Sequence, residues 1–205
     1  MRRVVHHAAL SYAELPDFII KLRAQDGTAA RALEFAILTA ARTGEVIGAL
    51  WSEINLTHKL WTIPADRMKA GKEHRVPLSA RACETLEAIK PGKVDGEAFV
   101  FTGSKVGKPL SNMAFLMLLR RMKRGDLTAH GFRSTFRDWC AERTNFPNEV
   151  CEMALAHAVG SKVEAAYRRG DLFDKRLRLM TAWSDYCGTK PMTEVNVVSM
   201  RSTVA

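Results

Sequence analysis

HGFRSTFRDWCAERTNFPNEVCEMALAHAVGSKVEAAY, residues 130–167, is the stretch on which the reading of this chain turns. Phe132, Phe136 and Trp139 recur at helical spacing, so HGFRSTFRDWCAERT predicts a helix with those three rings in a core. His130 and Arg133 lie three residues apart and share a helix face. Both side chains can donate hydrogen bonds to a phosphate. A second histidine, His157, sits in the Ala/Leu-rich run EVCEMALAH, which Asn148 starts. Gly160 then breaks the chain, and Ser161 can cap a short helix, KVEAAYRR. That helix carries Tyr167, flanked by Arg168 and Arg169. A hydroxyl beside such a pocket could attack phosphorus, but a His-x-x-Arg pair alone is usually a solvated or structural pair.

Composition narrows the partner. The chain has 205 residues, 47% of them hydrophobic, and a formal net charge of +9 with a pI near 9.7. That excess of positive charge favours a polyanion, most simply nucleic acid. Cys83, Cys140, Cys151 and Cys187 are scattered without paired spacing. They predict buried free thiols rather than a zinc site or a disulfide framework, which suits a reducing cytoplasm. No apolar run approaches the length of a membrane span, and the N-terminus lacks the apolar segment of a signal peptide.

The rest of the chain reads as helices around one small sheet, an α+β fold. Residues 1–10 read as a linker or remnant. Ser11 and Glu14 have capping-box spacing ahead of a helix carrying Leu15, Phe18, Ile19 and Leu22 inward, with Gly27 as its stop. TAARALEFAILTAART, residues 28–43, is apolar on most sides and therefore central. It delivers Arg42 at its end, Gly44 allows a break, and EVIGALW follows. Arg42 either pairs with Glu45 three residues on or faces an anion from a rigid base. Over residues 52–78 the period changes to short β-branched and aromatic runs, which predicts a three-stranded antiparallel sheet. Lys69 lies at its second hairpin, either reaching a groove beside the helices or simply solvated among Arg67, Lys72 and Arg75.

Ser79 should cap SARACETLEAIK, ended by Pro91-Gly92, and Phe99–Phe101 reads as a short buried segment. Ser111 or Asn112 should cap MAFLMLLRRMKR. Phe115, Leu116 and Leu119 with the Met/Leu stripe should face the core, with Gly125 as the stop. The basic end of that helix, Arg120, Arg121, Lys123 and Arg124, suits the helix dipole and could meet phosphates. Residues 172–187 form a last amphipathic helix. Its Leu172, Phe173, Leu177, Leu179, Met180 and Trp183 exceed one narrow stripe, so it either caps its own domain or packs on a neighbouring subunit. Residues 188–205 are polar and read as a flexible tail.

Taken together, TAARTGEV, MKAGKEHRVPLS, HGFR and LAH followed by AAYRR resemble the catalytic domain of tyrosine recombinases, the phage integrase family. The likeness is to integrases of prophages and genomic islands and covers residues 11–187. His157 and Tyr167 are ten residues apart, where many relatives have nine. The resemblance implies a helical catalytic domain that breaks and rejoins DNA through a 3′-phosphotyrosyl intermediate, without metal, cofactor or ATP. It implies Arg42 and Arg133 as phosphate clamps, His130 as base, Lys69 as acid, His157 as a donor to the phosphate and Tyr167 as nucleophile. Arg67, Lys72, Arg75, Arg120, Arg121, Lys123, Arg168 and Arg169 are expected to contact DNA. The implied partners are double-stranded DNA at attachment sites, a homo-tetramer on DNA in the full-length protein, and accessory directionality factors. The expected N-terminal core-binding domain is missing, so the chain resembles an excised catalytic domain. Two alternatives are a type IB topoisomerase-like strand cleavage and a non-catalytic DNA-binding module.

Overall fold

The computed structural model describes residues 9–157 and 170–189. These residues form eight helices and a three-stranded sheet: α1 Leu15–Arg23, α2 Thr28–Thr39, α3 Thr43–Ile47, α4 Ala80–Glu87, α5 Ala114–Arg121, α6 Gly131–Arg143, α7 Asn148–Ala154 and α8 Phe173–Cys187. The strands are β1 Ile54–Asn55, β2 Leu60–Ile63 and β3 His74–Pro77, antiparallel and in the order β1-β2-β3. Ile54 pairs with Trp61, and Trp61 with Val76. Leu50 also bridges Phe99, which fixes the buried segment before α5.

Helix α2 is central because nearly all of it is apolar. Ala30, Ala32, Leu33, Phe35, Ala36, Ile37 and Leu38 are buried, and α1, α4, α5 and α8 pack around them. Its one carboxylate, Glu34, is fully buried and sits among Arg23, Arg31 and Arg81, at 2.6, 3.8 and 2.8 Å. Helix α1 buries Leu15, Phe18, Ile19 and Leu22 as its periodicity requires. Ser79 caps α4 by accepting a hydrogen bond from the Ala82 N–H at 3.2 Å. The four cysteines are free and buried. Among the described residues no helix is long and apolar enough to cross a membrane.

Helix α8 packs on its own domain. Trp183 is fully buried against Phe136 and Trp139, and its indole N–H donates to the Ile37 carbonyl at 2.8 Å. Arg176, also buried, donates to Asp171 and to the Arg75 carbonyl, which ties α8 to β3.

Several local expectations need correction. Leu10 belongs to the core rather than to a linker: it is buried, and its carbonyl accepts from Thr135 at 2.6 Å. Ser11 makes no capping bond; a 3₁₀ turn at Tyr12–Glu14 leads into α1, with Pro16 in its first turn. Helix α1 ends at Arg23, and Gly27, with φ of +93°, starts α2 instead. Helix α2 stops at Thr39 because Ala40 is left-handed, with φ of +50°. Gly44 lies inside α3, so the break falls four residues earlier than its glycine suggested. Helices α4 and α5 likewise end before Pro91-Gly92 and Gly125, α5 through a left-handed Lys123. Neither Ser111 nor Asn112 caps α5. Leu118 rather than Leu116 completes its buried face; Met113 and Met117 are half exposed and lie outside the core, while Met122 packs against it.

Candidate active site

Three chain segments meet at the N-terminal end of α6. Thr128 accepts a hydrogen bond from the Gly131 N–H at 3.0 Å and so sets the start of α6. His130 stands exposed just before that helix, and Arg133, one turn in, is 5% exposed. The guanidinium of Arg133 donates to the carbonyl of Ala40 at the end of α2. It also donates to the carbonyl of Leu155 at the end of α7, at 2.7 Å. Its Nη2 lies 3.1 Å from His157 Nε2. Burial, and then the neighbouring Arg42, push this guanidinium down to about 10.

Arg42 enters from the loop before α3. Its Nη1 donates to Glu45 Oε1 at 2.7 Å, and Glu45 Oε2 accepts the Arg42 backbone N–H at 2.8 Å. The expected Arg42–Glu45 pair is therefore present. It does not exhaust the guanidinium: Nη2 lies 3.3 Å from the Ala156 carbonyl and 3.5 Å from that of Leu155. The two arginines thus converge on one peptide carbonyl although they lie 91 positions apart in sequence.

The end of α7 supplies these acceptors by a Schellman closure. Ala156 is left-handed, with φ of +50°. Its N–H donates to the Met153 carbonyl at 3.1 Å, and the His157 N–H donates to the Glu152 carbonyl at 3.0 Å. The closure turns the Leu155 and Ala156 carbonyls toward the arginines and leaves His157 beside Arg133. A cavity of about 390 Å³ opens there, lined by His130, Arg133, Ser134, Arg137, Asp138, Leu155 and His157, with Ala9 at its edge.

The structure therefore brings together Arg42, Arg133 and His157, with His130 and His157 on one cavity. Neither Arg42 nor Lys69 lines that cavity, and Lys69 stands apart from the group altogether, exposed on the connection between β2 and β3. Tyr167, Arg168 and Arg169 lie outside the described residues. Of the basic residues expected to meet DNA, Lys72, Arg120, Arg121 and Lys123 are exposed. Arg75 is 43% exposed but engaged, 3.5 Å from Asp171 and over the Phe173 ring. Arg67 is turned inward. It pairs with the Glu53 carboxylate, which also accepts from the Trp61 indole, and it donates to the Glu45 carbonyl at 2.6 Å. A Cβ at Gly48 would stand 2.9 Å from Arg67 Nη2, so glycine there makes room for this brace under α3.

Three residues of this neighbourhood escaped the sequence reading. His74, at the start of β3, is largely buried, which pushes its imidazole down to about 4; Arg176 adds to this and a bond to the Ala154 backbone opposes it. Glu152 and Arg137 flank His157, with Glu152 Oε2 2.7 Å from His157 Nδ1 and Glu152 Oε1 accepting from Arg137 Nε at 2.6 Å. The only sequence signal was a carboxylate five residues before a histidine, a spacing that no simple helix-face rule pairs. Among the described residues no cluster of histidine, cysteine or carboxylate side chains could hold a metal ion.

Comparison with known proteins agrees with this architecture. The profile of the phage integrase family matches residues 10–172, and the chain belongs to that family. Prophage integrase IntZ of Escherichia coli K12 is 35% identical over 186 residues, 90% of this chain and 46% of IntZ. The integrase of mycobacterium phage Brujita superposes with a TM-score of 0.63 at 15% identity, over 94% of this chain and 61% of that one. A lambda integrase (75–356) dimer bound to a COC′ core site superposes with a TM-score of 0.57 at 19% identity, over 77% of this chain and 60% of that one. The chain spans about half the length, or less, of the curated relatives it matches. These neighbours share its fold: a mainly helical domain with a small three-stranded antiparallel sheet.

Proposed function

We propose that this chain is the strand-cleaving part of a site-specific DNA recombinase. The observation that carries the reading is the pair Arg42 and Arg133, whose guanidinium groups meet at the Leu155 carbonyl beside His130 and His157. Two guanidinium groups on backbone carbonyls suit a phosphodiester, whose non-bridging oxygens accept paired N–H groups. Preorganised cations can then stabilise the charge that develops during attack.

In this reading the Tyr167 hydroxyl attacks phosphorus and gives its proton to His130. The bond from phosphorus to the 5′-oxygen breaks, Lys69 protonates that oxygen, and a 3′-phosphotyrosyl ester forms. Arg42 and Arg133 hold the non-bridging oxygens, and His157 donates to one of them. Attack by another 5′-hydroxyl reverses the sequence without ATP. Lys69 has to reach the scissile phosphate from its exposed connection, so DNA binding carries that hairpin inward. Exposed Lys72, Arg120, Arg121 and Lys123, with Arg168 and Arg169, would contact the backbone. The whole protein would act on attachment sites in the bacterial cytoplasm as a tetramer, with directionality factors. The relatives' names and the DNA-bound lambda neighbours support this assignment.

The test is covalent trapping. Nicked duplexes with randomised centres, whose 5′-hydroxyl fragment is lost on cleavage, are incubated with the chain at low salt, with and without EDTA. A protein–DNA adduct that survives EDTA and disappears in Tyr167→Phe is expected. An adduct that maps instead to Tyr186, the tyrosine of α8, or binding with no adduct under any condition, overturns the assignment; the latter outcome leaves a non-catalytic DNA-binding module.

A further inference from the structure

His157 is the most C-terminal of the grouped residues. It follows the end of α7, and its side chain is 44% exposed. Its ring must nevertheless present one nitrogen to Arg133 and the phosphate pocket. Glu152 meets it twice: its carbonyl takes the His157 backbone N–H at 3.0 Å, and its carboxylate lies 2.7 Å from Nδ1. An ionised carboxylate only accepts, so Nδ1 carries the ring proton. In the neutral ring Nε2 is then an acceptor, and Arg133 Nη2 at 3.1 Å can donate to it. The far oxygen of Glu152 is held by Arg137 at 2.6 Å, and Arg137 in turn reaches Asn148 at the start of α7. Burial alone would raise the Glu152 carboxyl, but the bonds from His157 and Arg137 outweigh it and hold the group below its usual value.

We infer that Glu152, braced by Arg137, is a positioning residue that fixes the ring orientation and tautomer of His157 and thereby the histidine's contact with the scissile phosphate. The inference rests on the strand-cleavage reading for its consequence, though not for the pairing itself. The arrangement links α6, which carries both Arg133 and Arg137, to both ends of α7. Arg133 and His157 are then held as one unit instead of two independent side chains. The charged and titratable groups around that ring are Glu152, Arg133, Arg137, His130 and Asp138.

Two measurements on the 205-residue chain test this. With ¹⁵N-labelled histidine, the Nδ1–H of His157 should give a ring proton resonance protected from exchange. It should vanish in Glu152→Gln and His157→Ala and persist in His130→Ala. In single-turnover trapping, Glu152→Gln should slow adduct formation about 10- to 100-fold with DNA affinity unchanged. The Glu152→Gln/His157→Ala double variant should be no slower than His157→Ala alone. Glu152→Asp should restore part of the rate, which a merely structural loss of α7 would not allow. Multiplying losses in the double variant, or a resonance unchanged by Glu152→Gln, overturn the inference even when the wild-type chain makes its adduct. No wild-type adduct together with a Glu152-dependent resonance sinks the strand-cleavage assignment and leaves the pairing standing.

Discussion

Two groups of arginines stabilise this domain by opposite means. Around Glu34, three arginines, each about a third exposed, converge on one fully buried carboxylate, so that carboxylate is fully paired where α1, α2 and α4 meet. At the other end of α2, Arg133 is almost as deeply buried, yet among the described residues its acceptors are two carbonyls and a histidine nitrogen. Carbonyl dipoles at helix C-termini solvate a cation without neutralising it. The first cluster is a finished salt bridge. The second keeps its positive charge at a cost, which the lowered pKa of Arg133 expresses, and an incoming anion would relieve that cost. The role of an arginine is thus set by the acceptors it meets, a carboxylate in one group and main-chain carbonyls in the other.

Removing the carboxylate from the first group should give the largest effect. Glu34→Ala leaves three partly exposed guanidinium groups without the buried carboxylate they share and is expected to destabilise the fold by about 3 kcal/mol, read by urea denaturation. A loss below about 1 kcal/mol would mean that the cluster is solvated and the contrast false. The Glu34 carboxyl would be raised by burial, but Arg81 and Arg23 hold it below its usual value. Its contribution is therefore present above the unfolded carboxyl pKa and is lost as pH falls through the folded value.

At the second group the expected loss falls on rate. Arg133→Lys cannot span both carbonyls and a phosphate, so trapping should slow by roughly 10²–10³, while the unfolding midpoint moves far less than in Glu34→Ala. If stability collapses and the residual folded protein cleaves normally, Arg133 belongs with the structural arginines.

His74 separates the groups by pH. It titrates near 6.5 when unfolded and near 4 in the fold, so the unfolded chain binds more protons between those values. Stability should fall as pH drops from about 6.5 to about 4, by up to about 3 kcal/mol for this residue, and level off below. The difference between wild type and His74→Gln isolates that slope; identical pH curves would place His74 in solvent.

The smallest effect is expected at Ala156. Left-handed backbone is unfavourable for alanine, so Ala156→Gly should add about 0.5–1 kcal/mol of stability without altering trapping. A destabilised variant would show that the alanine methyl packs to greater advantage than its backbone strain costs.

The sequence was legible where periodicity decides structure. The inward faces of α1 and α6, the three short strands and the Ser79 cap lie where spacing placed them. It was least legible where a contact between distant segments decides. Nothing local stops α2 at Thr39, since no glycine or proline stands there. The left-handed turn of Ala40 is accompanied by a bond from Arg133, 93 residues on. Composition could not separate Arg67, locked onto Glu53 and the α3 backbone, from solvated Lys72 a few residues away. Helix α5 shows the same limit: its methionines continue an apolar stripe, but a helix of eight residues buries only the part of that stripe that has a neighbour. At the candidate site, four charged or ionisable side chains were legible as residue types in order, while the carbonyls that gather them carry no signature at all.

That last feature bears on heredity. The acceptors that hold Arg42 and Arg133 are main-chain oxygens of Ala40, Leu155 and Ala156. No codon change can delete them, because every amino acid carries the same carbonyl. A saturation library at those positions would find many permissive replacements and would miss the anchor. Inserting or removing one codon between Ala154 and His157 would rotate the oxygens away, and the arginines would lose their seat while every side chain of the site was still encoded.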